Sequence, residues 1–570
     1  MVYKIADNIT SPLGDTTEAN YQAVLSGQSV IRTYTDHWDV PEPFAASLFT
    51  VEQEKDMAIE GLTRFEAMVV KSVRKAMQQK SVDLTGSRVV FILSTTKANV
   101  GSSSENLPGE SARRIARKVG IQTEPIVVCN ACISGLSALI LGKRLLETGR
   151  YDYAVVCGAD CQSKFIISGF QSLKALSAQP CRPFDMERLG LNLGEAAATM
   201  ILTNDKGLKT KEENLWALRA GVIRNDAYHI SSPSRNGDGC YNALKTVLRD
   251  VDTRELAFVN AHGTATMFND QMESVALERA GLTKVPVNAL KGYYGHTMGA
   301  AGVLETILCM RGLENQQIIG TRGFEELGVS GNIQVAAENR HLPDKTRFVK
   351  ILSGFGGCNA ALLVEKTKAE GERTKAERQK ILSLHTTHRV KLTPHEVVVD
   401  GKNLSFTGEG KEMLTDIYKQ YIGDYPKFYK MDMLGRLGFV ASELLLKAEH
   451  ENLNVNFNSE NRAVVLFNRS SSVNADKRYE ESIQDKDNYF PSPSLFVYTL
   501  PNIVTGEIAI RNHYMGETSF YVLPKRDQTR MNEIIETAFL DPATTSILTG
   551  WLDDEDEEHF EVELEIREIK

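Results

Sequence analysis

Residues 126–138 read IVVCNACISGLSA, an apolar run that ends among small residues and passes into a helical pattern. Ile126–Asn130 predicts a buried strand, and Ser134–Glu147 predicts the helix that follows it. Ala131, Ser134 and Gly135 permit a sharp turn and the close approach of another molecule. Cys132 stands in that turn, at a helix N-terminus whose dipole and unpaired N–H groups favour thiolate and would lower its pKa. Its own backbone N–H could help to form an oxyanion hole. Taken alone, such a cysteine is equally compatible with a core thiol, the reading that suits Cys129. A Cys129-x-x-Cys132 metal pair lacks a second ligand pair at suitable spacing.

Outward from this stretch, short β-rich runs alternate with amphipathic ones. Arg88–Ser94, Tyr153–Gly158 and Ala197–Leu202 read as strands, and Arg64–Gln79 reads as a helix, which is an α/β pattern. At 570 residues the chain is too long for one core. Glu365–Lys380 (EKTKAEGERTKAERQK) is almost free of apolar residues and reads as a solvated linker or exposed helix. Residues 1–366 carry 40 Lys and Arg against 39 Asp and Glu, and the remainder carries 25 against 35, so the two parts have different jobs. No basic excess points to nucleic acid. No stretch approaches the ~20 apolar residues of a membrane span. The first residues lack a secretory signal pattern, which points to the cytoplasm. The eight cysteines, all within the first two-thirds, suit reduced thiols there.

Two histidines change the weight of Cys132. His262 (VNAHGTATMFNDQMES) follows the apolar run Leu256–Val259, with Asp270 and Glu273 beyond it at the start of a predicted helix. His296 (LKGYYGHTMGAAGVLE) lies in a small-residue loop before a predicted helix Gly299–Leu308, with Lys291 before it and Glu305 after. Both occupy Gly-rich strand-to-helix turns, where α/β folds place active sites. A thiol that can carry an acyl group, followed by two imidazoles, suits carbon–carbon bond formation better than hydrolysis.

With SPLG (Ser11–Gly14), CRPFDMERLGLNLGEAA (Cys181–Ala197) and SGFGGCNAALLVE (Ser353–Glu365), these frames resemble the β-ketoacyl-[acyl-carrier-protein] synthases, collinearly over roughly residues 1–366. The resemblance implies a thiolase-like fold of two similar α/β halves in layered α-β-α-β-α architecture, residues 1–205 and 206–366, then a charged linker at 367–391. It implies that Cys132 takes an acyl chain from a carrier protein's phosphopantetheine arm. It also implies that His262 and His296 bind the malonyl thioester and assist its decarboxylation. Cys132 and Phe355 N–H groups would form the oxyanion hole, and Phe355 would gate the cysteine. Lys291 and Glu305 would organise the histidines, and Asp270 and Glu273 would support the turn after His262. No cofactor or metal is expected, since the substrates arrive on carrier arms. Ser353 stands where a large aromatic is often found, implying a roomier or differently shaped pocket, and Cys358 where Thr is usual.

Residues 392–570 look similar to the N-terminal half of a ketosynthase, with predicted helices Leu434–Glu449 and Gln528–Leu540 and strands Arg462–Asn468, Thr518–Leu523 and Ser546–Trp551. Glu507–Arg511 could be either. Aligning Gly550 with Gly158 puts the nucleophile position near Pro524, and no cysteine follows Cys358. This α/β half-module therefore reads as non-catalytic, akin to a chain-length factor. Expected partners are an acyl carrier protein, for which Lys71, Arg74 and Lys75 offer a basic helical face, and a second ketosynthase-like subunit in a homodimer or heterodimer. The expected activity is decarboxylative Claisen condensation in fatty-acid or polyketide-type synthesis, possibly of an aryl-polyene or flexirubin pigment. A thiolase acting on coenzyme A thioesters, with Cys358 as its second cysteine, and a non-enzymatic scaffold or chain-length factor are the alternatives.

Overall fold

The computed structural model describes residues 1–80, 82–99, 107–204, 214–368, 383–452, 459–485 and 489–569. One five-stranded motif occurs three times in it. In the first unit β1 (Val2–Thr10), β2 (Val89–Ser94), β3 (Ile126–Val128), β4 (Tyr153–Asp160) and β5 (Ala196–Thr203) lie in the order β3-β2-β4-β5-β1. In the second, β6 (Asn214–Asn225), β7 (Leu256–Asn260), β8 (Pro286–Asn288), β9 (Arg347–Gly354) and β10 (Cys358–Lys368) repeat it as β8-β7-β9-β10-β6. In the third, β11 (Leu384–Thr393), β12 (Arg462–Asn468), β13 (Thr518–Val522), β14 (Ser546–Asp554) and β15 (Phe560–Ile569) give β13-β12-β14-β15-β11.

The helices follow from their apolar faces. In α1 (Arg64–Met77), Phe65, Met68, Val69, Val73 and Ala76 are buried against the outer face of the first sheet, and Thr63 with Glu66 closes a capping box at its start. Helix α2 (Ser134–Glu147) and α4 (Ala301–Glu314) are buried on nearly all sides and pack on one another between the first two sheets. Helix α3 (Met267–Arg279) covers the far face of the second sheet together with Asp238–Val247. These two units make the layered thiolase-like arrangement.

The third unit extends the first sheet. β13 pairs antiparallel with β3, Tyr521 opposite Val128 and Val522 opposite Val127. Helix α5 (Met433–Asn452) packs on its sheet and on α7 (Ile503–Asn512), and α6 (Pro493–Tyr498) sits beside the first unit. Helix α8 (Gln528–Ala538) lies against α2. The undecided Glu507–Arg511 is thus inside α7. Buried ion pairs stitch the units together: Arg144 with Glu517 at 2.7 Å, Arg224 with Asp541, and Lys97 with Asp476 at 2.5 Å.

One expectation changes. Thr367 and Lys368 finish β10, and Leu384–Thr393 is a strand, so the linker is shorter than 367–391 at both ends. Charge hid β11, in which His388, Val390 and Leu392 turn inward while Arg389 and Lys391 face solvent. The same strand face forms ion pairs to β15, Arg389 reaching Glu565 at 3.0 Å. Among the described residues no helix is long and apolar enough to cross a membrane.

Candidate active site

Three strand-to-helix turns converge on Cys132, His262 and His296, and one ligand atom of each lies within 4.8 Å of the others. The imidazoles stand edge to face with ring centroids 5.0 Å apart. Sequence separation is irrelevant here because α2 and α4 touch: a Cβ at Gly135 would lie 2.7 Å from the Gly299 carbonyl oxygen, so only glycine allows the approach. Ala131, just before the nucleophile, has φ 47°, a left-handed conformation that costs energy for a residue with a side chain.

The expected thiolate is not the resting state. Burial pushes the Cys132 thiol up to about 11, outweighing Lys291 and the backbone N–H groups of Cys132 and Phe355 that are directed at the sulfur. The helix-terminus argument missed how completely the site is enclosed. Burial, then Lys291, holds both imidazoles well below their ordinary pKa, so both are neutral at pH 7. Met298 N–H donates to His296 Nδ1 at 3.2 Å, which puts the ring proton on Nε2. That Nε2 is buried with no hydrogen-bond partner among the described residues, a donor left for a substrate oxygen.

Carboxylates hold the loops. Glu273 accepts from His262 and Gly263 N–H at 2.7 and 2.8 Å, and Asp270 from Phe184, Thr264 and Ala265 N–H. Burial and Asp270 lift Glu273 to about 7. Lys291 Nζ donates to His262 O at 2.7 Å and to Glu305 Oε1 at 2.8 Å. Glu305 also binds Lys350, which donates to Ala261 O at 3.1 Å. Burial alone would raise Glu305, but Lys291 and Lys350 hold its carboxyl below the ordinary value. Lys350 was missed by sequence reasoning; its one signal was a lysine within the apolar strand RFVKILSG. Asp160 was missed as well. It accepts from Thr95 Oγ1 and Gly299 N–H, each at 2.7 Å, and so ties the end of β2 to the His296 loop.

Two cavities meet at the cysteine. The larger, about 360 Å³, opens outward and is lined by Cys132, His262, His296, Ser353 and Phe355, with the exposed Leu189, Met267 and Phe268 at its rim. The smaller, about 10 Å³, lies behind Cys132 and is closed by Phe496 and Leu500 of the third unit. Cys132, Phe170 and Phe355 are common to both walls, and the Phe170 and Phe355 rings stack 6.2 Å apart. Ser353 lines the outer cavity and donates to Asn359 Oδ1 at 2.7 Å, while Phe496 lines the inner one. Cys358 lines neither cavity and directs its sulfur at the Phe355 and Asn130 carbonyls.

Strand register identifies the matching point in the third unit. Ser94 of β2 faces Val128 of β3 and Gly158 of β4, and Leu466 of β12 faces Phe520 of β13 and Gly550 of β14. Four residues beyond Val128 is Cys132, and four beyond Phe520 is Pro524. Of the basic face expected at Lys71, Arg74 and Lys75, the two lysines share the single carboxylate of Asp15 at 2.9 and 3.2 Å, and Arg74 donates to the Lys118 carbonyl, so the three side chains and Asp15 keep a net positive charge. Among the described residues, Cys132, His262 and His296 are the one group spaced to hold a metal ion. The same three atoms face the cavity that a substrate would enter.

Comparison with known proteins agrees with this geometry. Residues 91–207 match the family model "Beta-ketoacyl synthase, N-terminal domain" and residues 217–325 match "Beta-ketoacyl synthase, C-terminal domain". The chain is 26% identical over 400 residues to 3-oxoacyl-[acyl-carrier-protein] synthase 2 of Vibrio cholerae serotype O1, covering 62% of this chain and 96% of that protein. It is 29% identical over 276 residues to the tetracenomycin polyketide synthase ketoacyl synthase alpha subunit of Streptomyces glaucescens, covering 46% of this chain and 65% of that one. Among solved structures, the PfaC keto synthase-chain length factor is similar over 100% of this chain and 78% of its own, with TM-score 0.78 at 14% identity. A Xenorhabdus doucetiae ketosynthase in complex with its chain length factor covers 64% of this chain and 98% of its own, with TM-score 0.55 at 24% identity. Both halves of the β-ketoacyl synthase family model thus match within residues 91–325, and the fold is shared with solved ketosynthases.

Proposed function

We propose that the chain catalyses decarboxylative Claisen condensation of an acyl thioester with a malonyl thioester, both delivered by an acyl carrier protein. The observation that carries this is the meeting of one thiol and two neutral imidazoles where an open cavity joins a closed one. The open cavity suits a phosphopantetheine arm, and the inner one would take an acyl group once Phe496 and Leu500 move aside.

In the first half-reaction the Cys132 sulfur attacks the acyl thioester carbonyl. The tetrahedral oxygen accepts from the Cys132 and Phe355 N–H groups. The carrier's C–S bond then breaks, and the carrier thiol leaves with the proton from Cys132. Because the thiol rests protonated, this transfer is coupled to attack. In the second, the malonyl thioester oxygen accepts from the His296 Nε2–H, with the His262 ring beside it. Loss of carbon dioxide leaves an enolate whose carbon attacks the Cys132 thioester; the C–S bond breaks, and the departing Cys132 thiolate takes up one proton from solvent. Neutral rings suit this step, since they donate to a developing enolate oxygen in an enclosed site. Lys291, Glu305 and Lys350 position the His262 loop. The position of Cys358, outside both cavities, disfavours the coenzyme A thiolase reading.

The third unit, with Pro524 at the nucleophile point, is non-catalytic in this reading and fills a place akin to that of a chain-length factor. It occupies the β3 edge, so no second subunit is needed there. A cytoplasmic setting fits eight free thiols, and a polyketide-type or pigment product fits the fusion. The test is condensation of acyl- and malonyl-carrier into a 3-ketoacyl product. The parent should form it, His262→Ala and His296→Ala should lose it, and retention of the parental rate in both would sink the assignment.

A further inference from the structure

The turn that carries Phe355 does not stand on the ketosynthase units alone. Asn502, at the start of α7 in the third unit and 2% exposed, donates from Nδ2 to the Phe355 carbonyl at 2.8 Å. Next to it, Gly356 has φ 86°, and a Cβ there would lie 2.8 Å from Asn502 Nδ2. One turn further along α7, a Cβ at Gly506 would lie 2.6 Å from the Gly356 oxygen. The far side of the turn is held by Asn225 Nδ2, which donates to Gly356 O at 2.8 Å and to Thr518 Oγ1 of β13 at 2.9 Å. The turn is therefore clamped against the third unit by two hydrogen-bonded amides and a glycine-to-glycine contact. Its Phe355 N–H is one of the two groups directed at the Cys132 sulfur.

We propose that Asn502 and Gly506 are positioning residues for the oxyanion hole, so that the third unit, though without a nucleophile, completes the acyl-transfer site. This rests on the condensation reading above. The Asn502 amide fixes the Phe355 carbonyl, the carbonyl fixes the peptide plane that follows it, and the turn as a whole sets where the Phe355 N–H points. Among the described residues no hydrogen bond joins this path to either imidazole. The clamp should therefore matter for acyl transfer to Cys132 and be silent in malonyl decarboxylation, whose oxygen is held by histidine.

The test separates the two half-reactions in the full-length protein. Asn502→Leu keeps the size of the side chain and removes the donor; Gly506→Ala leaves the donor and pushes on Gly356. Single-turnover loading of Cys132 from an octanoyl- or acetyl-carrier would be followed by intact mass, and carbon dioxide release from malonyl-carrier measured on the same preparations. Removing an oxyanion donor outright costs about 10²–10³-fold, so a displaced one should slow loading on the order of 10- to 100-fold. Decarboxylation should stay within about twofold of the parent, which also shows that the variants are folded. Loading at the parental rate in both variants would overturn the proposal. So would an equal fall in both half-reactions, since that is what a merely structural contact produces. A parent that never loads would instead overturn the condensation reading itself.

Discussion

Replacing Glu305 by Gln keeps the volume of the side chain and removes the one carboxylate that Lys291 and Lys350 share. Both lysines are buried, with side chains 1% and 0% exposed, and each Nζ is bound to Glu305. Breaking a buried pair by deleting one partner costs ~3–5 kcal/mol. Two ammonium groups depend on this carboxylate, so the upper end of that range is expected. In so long a chain each kcal/mol moves Tm by roughly 2 °C or less, giving a drop on the order of 5 °C. The pH dependence has a definite sign. Burial already lowers the pKa of Lys350 in the parent, and loss of the counter-charge lowers it further. The folded state of the variant then binds fewer protons than the unfolded chain, whose lysines titrate near ~10.4. Stability of the variant therefore rises with pH relative to the parent: the deficit is full at about pH 6 and shrinks towards about pH 9. Thermal unfolding at both pH values reads this directly. Adding Lys350→Met, which removes one of the two stranded charges, should recover at least about half of the loss. A Tm within about 1 °C of the parent at pH 6, or a deficit that ignores pH, would refute the electrostatic account.

Three further outcomes follow from the same geometry. Alkylation of Cys132 by iodoacetamide in the free protein should speed up about tenfold per pH unit from about pH 7 to 9, because the thiol rests protonated; a plateau near pH 7 would show a resting thiolate instead. Phe496→Ala should open the inner cavity, and at ~0.8 kcal/mol per buried methylene raise the ratio of octanoyl to acetyl loading by about tenfold or more. An unchanged ratio would mean that Phe496 is not what closes the acyl chamber. A chain ending after Lys368 should aggregate, since it bares the β3 edge and the apolar surfaces that α6 and α8 cover; a soluble, monodisperse protein would contradict the view of the third unit as integral.

Much of this was legible in the sequence. Apolar runs such as Arg462–Asn468 give strand bounds without ambiguity, and α2 begins and ends where its pattern does. Cys132, His262 and His296 were visible because each sits in a frame of small residues; Lys291 and Glu305 came with the His296 frame, and Phe355 with the Ser353–Glu365 motif through the family resemblance. What stayed hidden depends on three-dimensional neighbours. Lys350 is one charge in an apolar strand and makes sense only beside Glu305. Asp160 looks like the polar end of a strand until Gly299 is brought against it. The charges of β11 masked a strand buried on one face. The pKa of Cys132 was misjudged because a helix N-terminus can be read from sequence, whereas full enclosure cannot. Asn502 lies 147 residues from Phe355, and no local pattern links the two. The pairing of β3 with β13 joins them.

The most direct test of the whole account is intact-mass and peptide mapping of the protein after exposure to acyl-carrier, then malonyl-carrier. The account predicts one acyl adduct on Cys132, consumed on adding malonyl-carrier with release of carbon dioxide and a 3-ketoacyl product, and absent from Cys132→Ala. No adduct, an adduct on another of the eight cysteines, or undiminished condensation by Cys132→Ala would contradict it.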